Sequence, residues 1–338
     1  MSMEGSILLA LFVAVAVSAI VTCAVWKAAL RRQILIDSPN QRSSHEQPKP
    51  RGGGVGVTFG LAAGLAIAAS GHSFDRAALL LVLGALVCAA LGLWDDVRGL
   101  AVGPRLAAEF AVSALLVYET GPLVAFPLPA PLDVPLGMIG FVFPVVWLVG
   151  VTNFFNFMDG IDGLAAGQAI AVSLMVAVAA WCQDARLIAV VLVGALAGFV
   201  PFNWWPSRIF LGDGGSLPIG FLLAGLPLLA PSADRPRAVL VTAMGLTLFL
   251  LDPVLTLWRR WRRGAPLGQA HREHLYQQLL DPADPHRSVA SALVVAGLGL
   301  SGAGWLVYLR PSLGWVGVVA AALAFGAESL LAQRRSRR

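Results

Sequence analysis

Long apolar runs alternate with short polar interruptions along this chain, and the runs have the length of a bilayer rather than of a soluble core. Crossing a hydrocarbon core takes about 17 to 25 mostly apolar helical residues. About eleven stretches approach that length: 6–26, 53–71, 77–94, 104–119, 134–152, 163–182, 187–203, 215–231, 238–257, 289–309 and 311–329. The pattern predicts an all-α, polytopic membrane protein with about eleven transmembrane helices, folded as a single domain over residues 1–338. The fourth stretch is the weakest, because Glu109 and Glu119 bracket a short core and a proline-rich loop, LVAFPLPAPLDVP, follows it. The first is unlike a signal peptide: its run is too long, the start MSMEG has no basic residue, and no small-x-small cleavage site follows. It is expected to remain as a helix.

Composition strengthens this reading. Of 338 residues 57% are hydrophobic and 13% charged, about half the charged share of an ordinary soluble domain. The net charge of +5 is unevenly placed. Loops after odd-numbered stretches hold 19 of the 24 Lys and Arg residues, which predicts an outside N-terminus and a cytoplasmic C-terminus in a bacterial inner (plasma) membrane. The same distribution, with no nucleic-acid-binding motif, excludes a nucleic acid as partner. Cys23, Cys88 and Cys182 lie in or beside apolar runs without partner spacing and indicate no chemistry.

Five polar clusters interrupt the runs: DSPNQRSSHEQPKPRGGGVG (37–56), LWDDVRG (93–99), NFFNFMDGIDGLAAG (153–167), FNWWPSRIFLGDGGS (202–216) and AHREHLYQQL (270–279). All fall after odd-numbered stretches, so one composite cytoplasmic site accounts for them. Adjacent Asp95 and Asp96 repel unless a cation stands near, which suggests metal or phosphate chemistry; helix-end solvation is the plainer reading. Asn153, Asn156, Asp159 and Asp162 recur every three residues, where capping of the next helix needs only one of them. Asp213 sits among glycines before a helix whose N-terminal dipole could receive an anion. His271, Arg272 and His274 form either a cationic lid over phosphates or a solvated basic loop against lipid heads. Asp252 lies inside the ninth apolar stretch, where an ionisable group is a functional candidate by default.

The ordered set DSPNxRSSH…PRGGG, WDDVRG, NFFNFMDGIDGL, FxxxxSRIFLGDGGS and HREHLYQ resembles the polyprenyl-phosphate N-acetylhexosamine-1-phosphate transferases over about residues 6–330. The resemblance implies a helical membrane enzyme, a homodimer, that moves a sugar 1-phosphate from a UDP-N-acetylhexosamine to undecaprenyl phosphate and releases UMP. It implies Mg²⁺, or Mn²⁺ as a substitute, held by Asp213 with Asp159. It further implies that Phe210 stacks on uracil and Asn203 bonds its edge, and that Asn153, Asn156 and Asp162 order the nucleotide. Asp95 matches an aspartate proposed to take the proton from the lipid phosphate, with Asp96 beside the metal. His271, Arg272 and His274 would hold the diphosphate and sugar, and His45 would join the substrate-binding set.

Two positions depart from the peptidoglycan branch of that family. Gly99 stands where a lysine is expected, and the ninth loop reads HREHLYQ instead of a histidine triplet. The expectation is an O-antigen-like, surface-glycan enzyme; a peptidoglycan lipid I synthase-type transferase and a membrane transporter are the alternatives. A transporter would carry ionisable groups at midplane and often an internal repeat, whereas here only Asp252 lies deep.

Overall fold

The computed structural model describes residues 3–37, 48–266, 272–280 and 286–336. His45 and His271 lie outside the described residues. Thirteen α-helices carry the described chain: α1 (Met3–Arg32), α2 (Gly53–Ala69), α3 (Arg76–Arg98), α4 (Val102–Thr120), α5 (Ile139–Phe157), α6 (Leu164–Ala179), α7 (Gln183–Asn203), α8 (Asp213–Gly225), α9 (Arg235–Gly245), α10 (Thr247–Arg262), α11 (Leu275–Gln278), α12 (His286–Leu309) and α13 (Gly314–Ser336). Two short antiparallel strands, β1 (Ile36–Asp37) and β2 (Lys49–Pro50), pair Ile36 with Pro50.

Each of the eleven predicted stretches holds a helix or a pair of helices. Six helices are long and apolar enough to cross a membrane by themselves, or seven spans if α9 and α10, bent by 75°, form one. The sequence reading of eleven also included stretches whose helices are shorter or less apolar than those six. Three of its stretches fold as shorter helices, of which the 16-residue α6 extends about 24 Å. In α4 the charges turn inward: Arg105 and Glu109 are buried against protein.

Helix α8 forms the middle of the bundle. Every residue from Gly214 to Gly225 is buried, and α2, α3 and α5 pack around it. In lipid there is little hydrophobic gain from bringing helices together, so small residues that allow backbones to touch set the packing. Gly56, Gly60 and Gly64 form such a stripe on α2; a methyl group at any of them would stand within 3 Å of α1. Gly92 of α3 likewise lies flat against the first residues of α8. At the bend between α9 and α10, the Gly245 carbonyl accepts from Gln168 Nε2 at 2.6 Å, so a backbone group freed by the break is satisfied by side-chain chemistry. Large apolar side chains such as Phe12, Ile20 and Leu323 face outward, the surface a multi-pass membrane protein presents to lipid.

Candidate active site

The ends of α3, α5 and α7 and the start of α8 meet at one end of the bundle beside Lys49 and Arg51, and Tyr276 of the fifth polar cluster reaches the end of α5. Asp95 and Asp96 close α3. Asp95 accepts from the Leu100 backbone N–H at 2.7 Å. Asp96 accepts from the N–H groups of Asp213 and Gly214 at 3.2 and 3.0 Å, with Arg51 3.9 Å away. The N-terminus of α8, where the sequence left room for an anion, therefore meets the protein's own Asp96 carboxylate. The reason is proximity, since Gly92 lets α3 approach closely enough for the side chain one turn later to reach those amides.

A cation joins the acidic residues. The guanidinium of Arg105 donates to Asp95 Oδ2 at 2.9 Å and to Asp213 Oδ2 at 3.3 Å, and its other terminal nitrogen is 3.5 Å from Asn153 Oδ1. Behind it Glu109 lies 3.8 Å from Arg105 Nε and accepts from Asn153 Nδ2. One planar cation thus spans two carboxylates from different helices and is itself oriented by a buried acid, an arrangement suited to guanidinium rather than ammonium. Arg105 and Glu109 were missed as site residues. Their signal was an i,i+4 pair of opposite charge inside an apolar stretch.

The NFFNFMDGIDGL segment divides its labour. Asn153 and Asn156 sit on α5, where Asn156 Nδ2 donates to Ser216 Oγ at 2.8 Å. Asp159 lies in the turn after α5, partly exposed. Burial, and then the negative fields of Asp213, Asp96 and Asp162, raise its carboxyl well above the ordinary aspartate value. Asp162 accepts from Ser207 N and Oγ at 3.0 and 2.8 Å and lies 3.5 Å from Lys49. Gly163, with φ +79°, begins α6 without any side-chain cap, so capping does not explain these four residues. Asn203 is buried, with its oxygen taking the Gly163 N–H and its nitrogen bonding Ile209 O, both at 3.1 Å. In this arrangement it ties the aspartate turn to the segment leading into α8.

Phe210 is partly exposed beside Trp205. Lys49 Nζ stands 5.4 Å from the Phe210 ring centre and 5.7 Å from that of Trp205, and donates to Ser207 Oγ at 3.0 Å. Backbone bonds from Phe210 N to Pro50 O and from Gly53 N to Phe210 O, both 2.9 Å, fasten this aromatic wall to β2 and α2. It offers flat rings and a positive charge, the groups that hold a nucleobase and its phosphates.

Asp252 proves to be an anchor. Fully buried, it accepts from Thr256 Oγ1, His274 Nδ1, Leu275 N and Tyr276 N at 2.9 to 3.2 Å, and the Tyr276 hydroxyl reaches Phe157 O at 3.1 Å. His274 is correspondingly buried against Asp252 and stacked on Tyr276. Arg272 is exposed and lines a separate cavity of about 700 Å³, none of whose lining residues belongs to the carboxylate cluster.

Among the described residues no group of three or more His, Cys, Asp and Glu is placed to hold a metal. Magnesium does not require one, because it takes one or two protein carboxylates and completes its shell with water and substrate oxygens. The donor set fits that habit. Asp159 and Asp213 are hard oxygen donors, and burial together with the repulsion of neighbouring carboxylates, which raise Asp159, are what a bound cation would offset.

Residues 78–230 match the family model described as Glycosyl transferase family 4, the stretch that supplies Asp95, Asp159 and Asp213. The chain is similar to the probable undecaprenyl-phosphate N-acetylglucosaminyl 1-phosphate transferase of Bacillus subtilis, 28% identical over 269 residues, covering 78% of this chain and 74% of the relative. It is also similar to the decaprenyl-phosphate N-acetylglucosaminephosphotransferase of Mycolicibacterium smegmatis, 29% identical over 333 residues, covering 87% and 74%. A shorter match, 32% identical over 207 residues, covers 57% of this chain and 64% of the phospho-N-acetylmuramoyl-pentapeptide-transferase of Enterococcus faecalis. With its acidic motifs gathered at one end of a helical membrane bundle, the chain carries the glycosyl transferase family 4 pattern over residues 78–230 and is similar to relatives named as polyprenyl-phosphate sugar-1-phosphate transferases.

Proposed function

We propose that this transferase moves N-acetylhexosamine 1-phosphate from a UDP-sugar to undecaprenyl phosphate at the cytoplasmic face of a bacterial plasma membrane. The product would start an O-antigen-like surface glycan. The observation that carries the proposal is the convergence of Asp95, Asp96 and Asp213 around Arg105 and the start of α8, with the Phe210–Trp205–Lys49 wall on the same end. Relatives named for N-acetylglucosamine make UDP-N-acetylglucosamine the first donor to test. The excess of Lys and Arg in the loops that carry these motifs supports the cytoplasmic placement.

In the proposed reaction an oxygen of the lipid phosphate attacks the β-phosphorus of the UDP-sugar. The bond from that phosphorus to the bridging oxygen breaks, and UMP leaves with the electron pair. Asp159 and Asp213 would hold Mg²⁺, which when bound neutralises developing charge on the diphosphate. Arg105 fixes Asp95 and Asp213 relative to one another, and Lys49 with the aromatic wall receives the uridine part. Asp95 is engaged by Arg105 and by Leu100 N–H, and a phosphate monoester is already largely ionised near neutral pH; its role here is to orient the acceptor rather than to deprotonate it. His274, held by Asp252, sets the position of the 272–279 segment.

The test is UMP release by the purified protein in detergent, given undecaprenyl phosphate and a panel of UDP-N-acetylhexosamines with Mg²⁺ or EDTA. Release that depends on both the lipid phosphate and Mg²⁺ is expected. Release without lipid phosphate, or undiminished in EDTA, would overturn the proposal.

A further inference from the structure

Outside the carboxylate cluster, the strongest unexplained feature is the arginine-lined cavity at the end of α10. Trp258, Arg259, Arg262 and Arg263 come from the last turns of that helix, while Arg272 and Gln278 come from the segment around α11. Two pieces of chain therefore border an open groove of about 700 Å³, large enough for more than an inorganic ion.

The charges in this cavity are only partly balanced. Glu273 forms ion pairs with Arg260 and Arg263, and despite the opposing effect of burial these hold its carboxyl below the ordinary glutamate range. Among the described residues no acid pairs with Arg259, Arg262 or Arg272. An excess of basic residues at a cytoplasmic helix end follows from membrane insertion alone, but that rule predicts neither a groove shared by two chain segments nor its aromatic edge. Trp258 is 48% and Trp261 67% exposed, and the Arg262 guanidinium lies 5.1 Å from the Trp258 ring centre. Exposed indoles beside guanidinium groups, at the end of a helix that rises from an apolar bundle, match the layer where lipid phosphates lie.

We propose that this cavity binds the phosphate head group of an anionic glycerophospholipid, with Arg259 and Arg262 as its chief contacts and Trp258 seated at the glycerol level. Bound there, the lipid bridges α10 to the α11 segment, whose far side His274 and Asp252 anchor. The site is separate from the metal-binding aspartates and needs no particular donor sugar.

Native mass spectrometry of the delipidated full-length protein tests it, using phosphatidylglycerol and phosphatidylcholine of identical chains as probes. The wild type should retain phosphatidylglycerol in preference to phosphatidylcholine, and rising ionic strength should erode that preference. The double variant Arg259→Gln/Arg262→Gln should bind phosphatidylglycerol at least about tenfold more weakly, given roughly a kilocalorie per basic residue at a lipid surface. The pair Arg259→Lys/Arg262→Lys should keep most of the binding. Thermal unfolding in detergent checks that the variants fold, and the salt dependence of the wild type stands even if they do not. Equal retention of the two lipids, or a preference insensitive to salt, overturns the proposal. So does displacement by millimolar inorganic phosphate, which would make this a soluble-anion site, or by undecaprenyl phosphate, which would make it part of the substrate path.

Discussion

Gly92→Ala tests how the acidic cluster is assembled without touching any acidic residue. The added Cβ would stand 2.1 Å from Asp213 O, 2.3 Å from Asp213 C and 2.6 Å from Gly214 N, against ordinary contacts of 3.4–4 Å. All three are backbone atoms of α8, which cannot rotate away as a side-chain tip can. Helices α3 and α8 must separate by about an ångström at the level where Asp96 accepts from Asp213 and Gly214 N–H, and at 3.0–3.2 Å those bonds have little slack. Overpacking of this kind costs about 1–3 kcal/mol of stability. A displacement of that size at reacting groups costs roughly a hundredfold in rate. The assay is UMP release per folded molecule, with thermal unfolding in detergent measured alongside. Gly103→Ala is the control, because nothing lies within 4 Å of a methyl group there. Turnover of Gly92→Ala within about twofold of wild type, at unchanged unfolding temperature, would falsify the claim that close α3–α8 contact builds the site.

Three further outcomes follow from the same geometry. Arg105→Gln leaves Asp95, Asp213 and Glu109 without their shared cation; breaking such a buried pair costs about 3–5 kcal/mol, and UMP release should fall by at least about a hundredfold, with Arg105→Lys recovering part of it. Equal activity of the Gln and wild-type proteins would remove Arg105 from the site. With Mg²⁺ held by Asp159 as proposed, the raised carboxyl would make protons compete with the ion: the Mg²⁺ concentration for half-maximal turnover should drop as pH rises through that raised value and then level off, and Asp159→Asn should abolish the trend. Because ionisation of this group is disfavoured in the fold, stability should decline as pH rises above its unfolded value, and added Mg²⁺ should raise the unfolding temperature more at the higher pH. Asp252→Ala strips the acceptor from two backbone N–H groups, a threonine hydroxyl and His274, at about 1–3 kcal/mol for each buried group left unpaired; limited proteolysis should then cut the 272–280 segment faster, whereas an unchanged cutting rate would show that Asp252 does not anchor it.

What the sequence made legible was chemistry that is local in the chain. Four residues at a spacing of three could be recognised as more than a cap because a cap uses one side chain, and the structure gives Asn153, Asn156 and Asp162 separate partners while Asp159 stands in the field of the neighbouring carboxylates. Contacts between helices were not legible, since hydrophobic period says which residues leave water but not which neighbour they meet. Arg105 and Asn153 are 48 positions apart, and Asp96 and Gly214 are 118 apart. The group that meets the start of α8 is Asp96 of α3, which for this reason could not be named from the sequence, and Asp252, deep in an apolar run, read as a functional candidate when its bonds include backbone N–H groups more than twenty residues on. The glycines were the overlooked clue. In a bilayer, where apolar side chains gain little by leaving lipid, Gly92 and Gly54 mark where backbones touch, and a carboxylate one turn beyond such a glycine is close enough to bond the neighbouring backbone. That rule assigns Asp96 to structure, while Asp213 shares Arg105 with Asp95 and Asp159 stands in the negative field of Asp213 and Asp96.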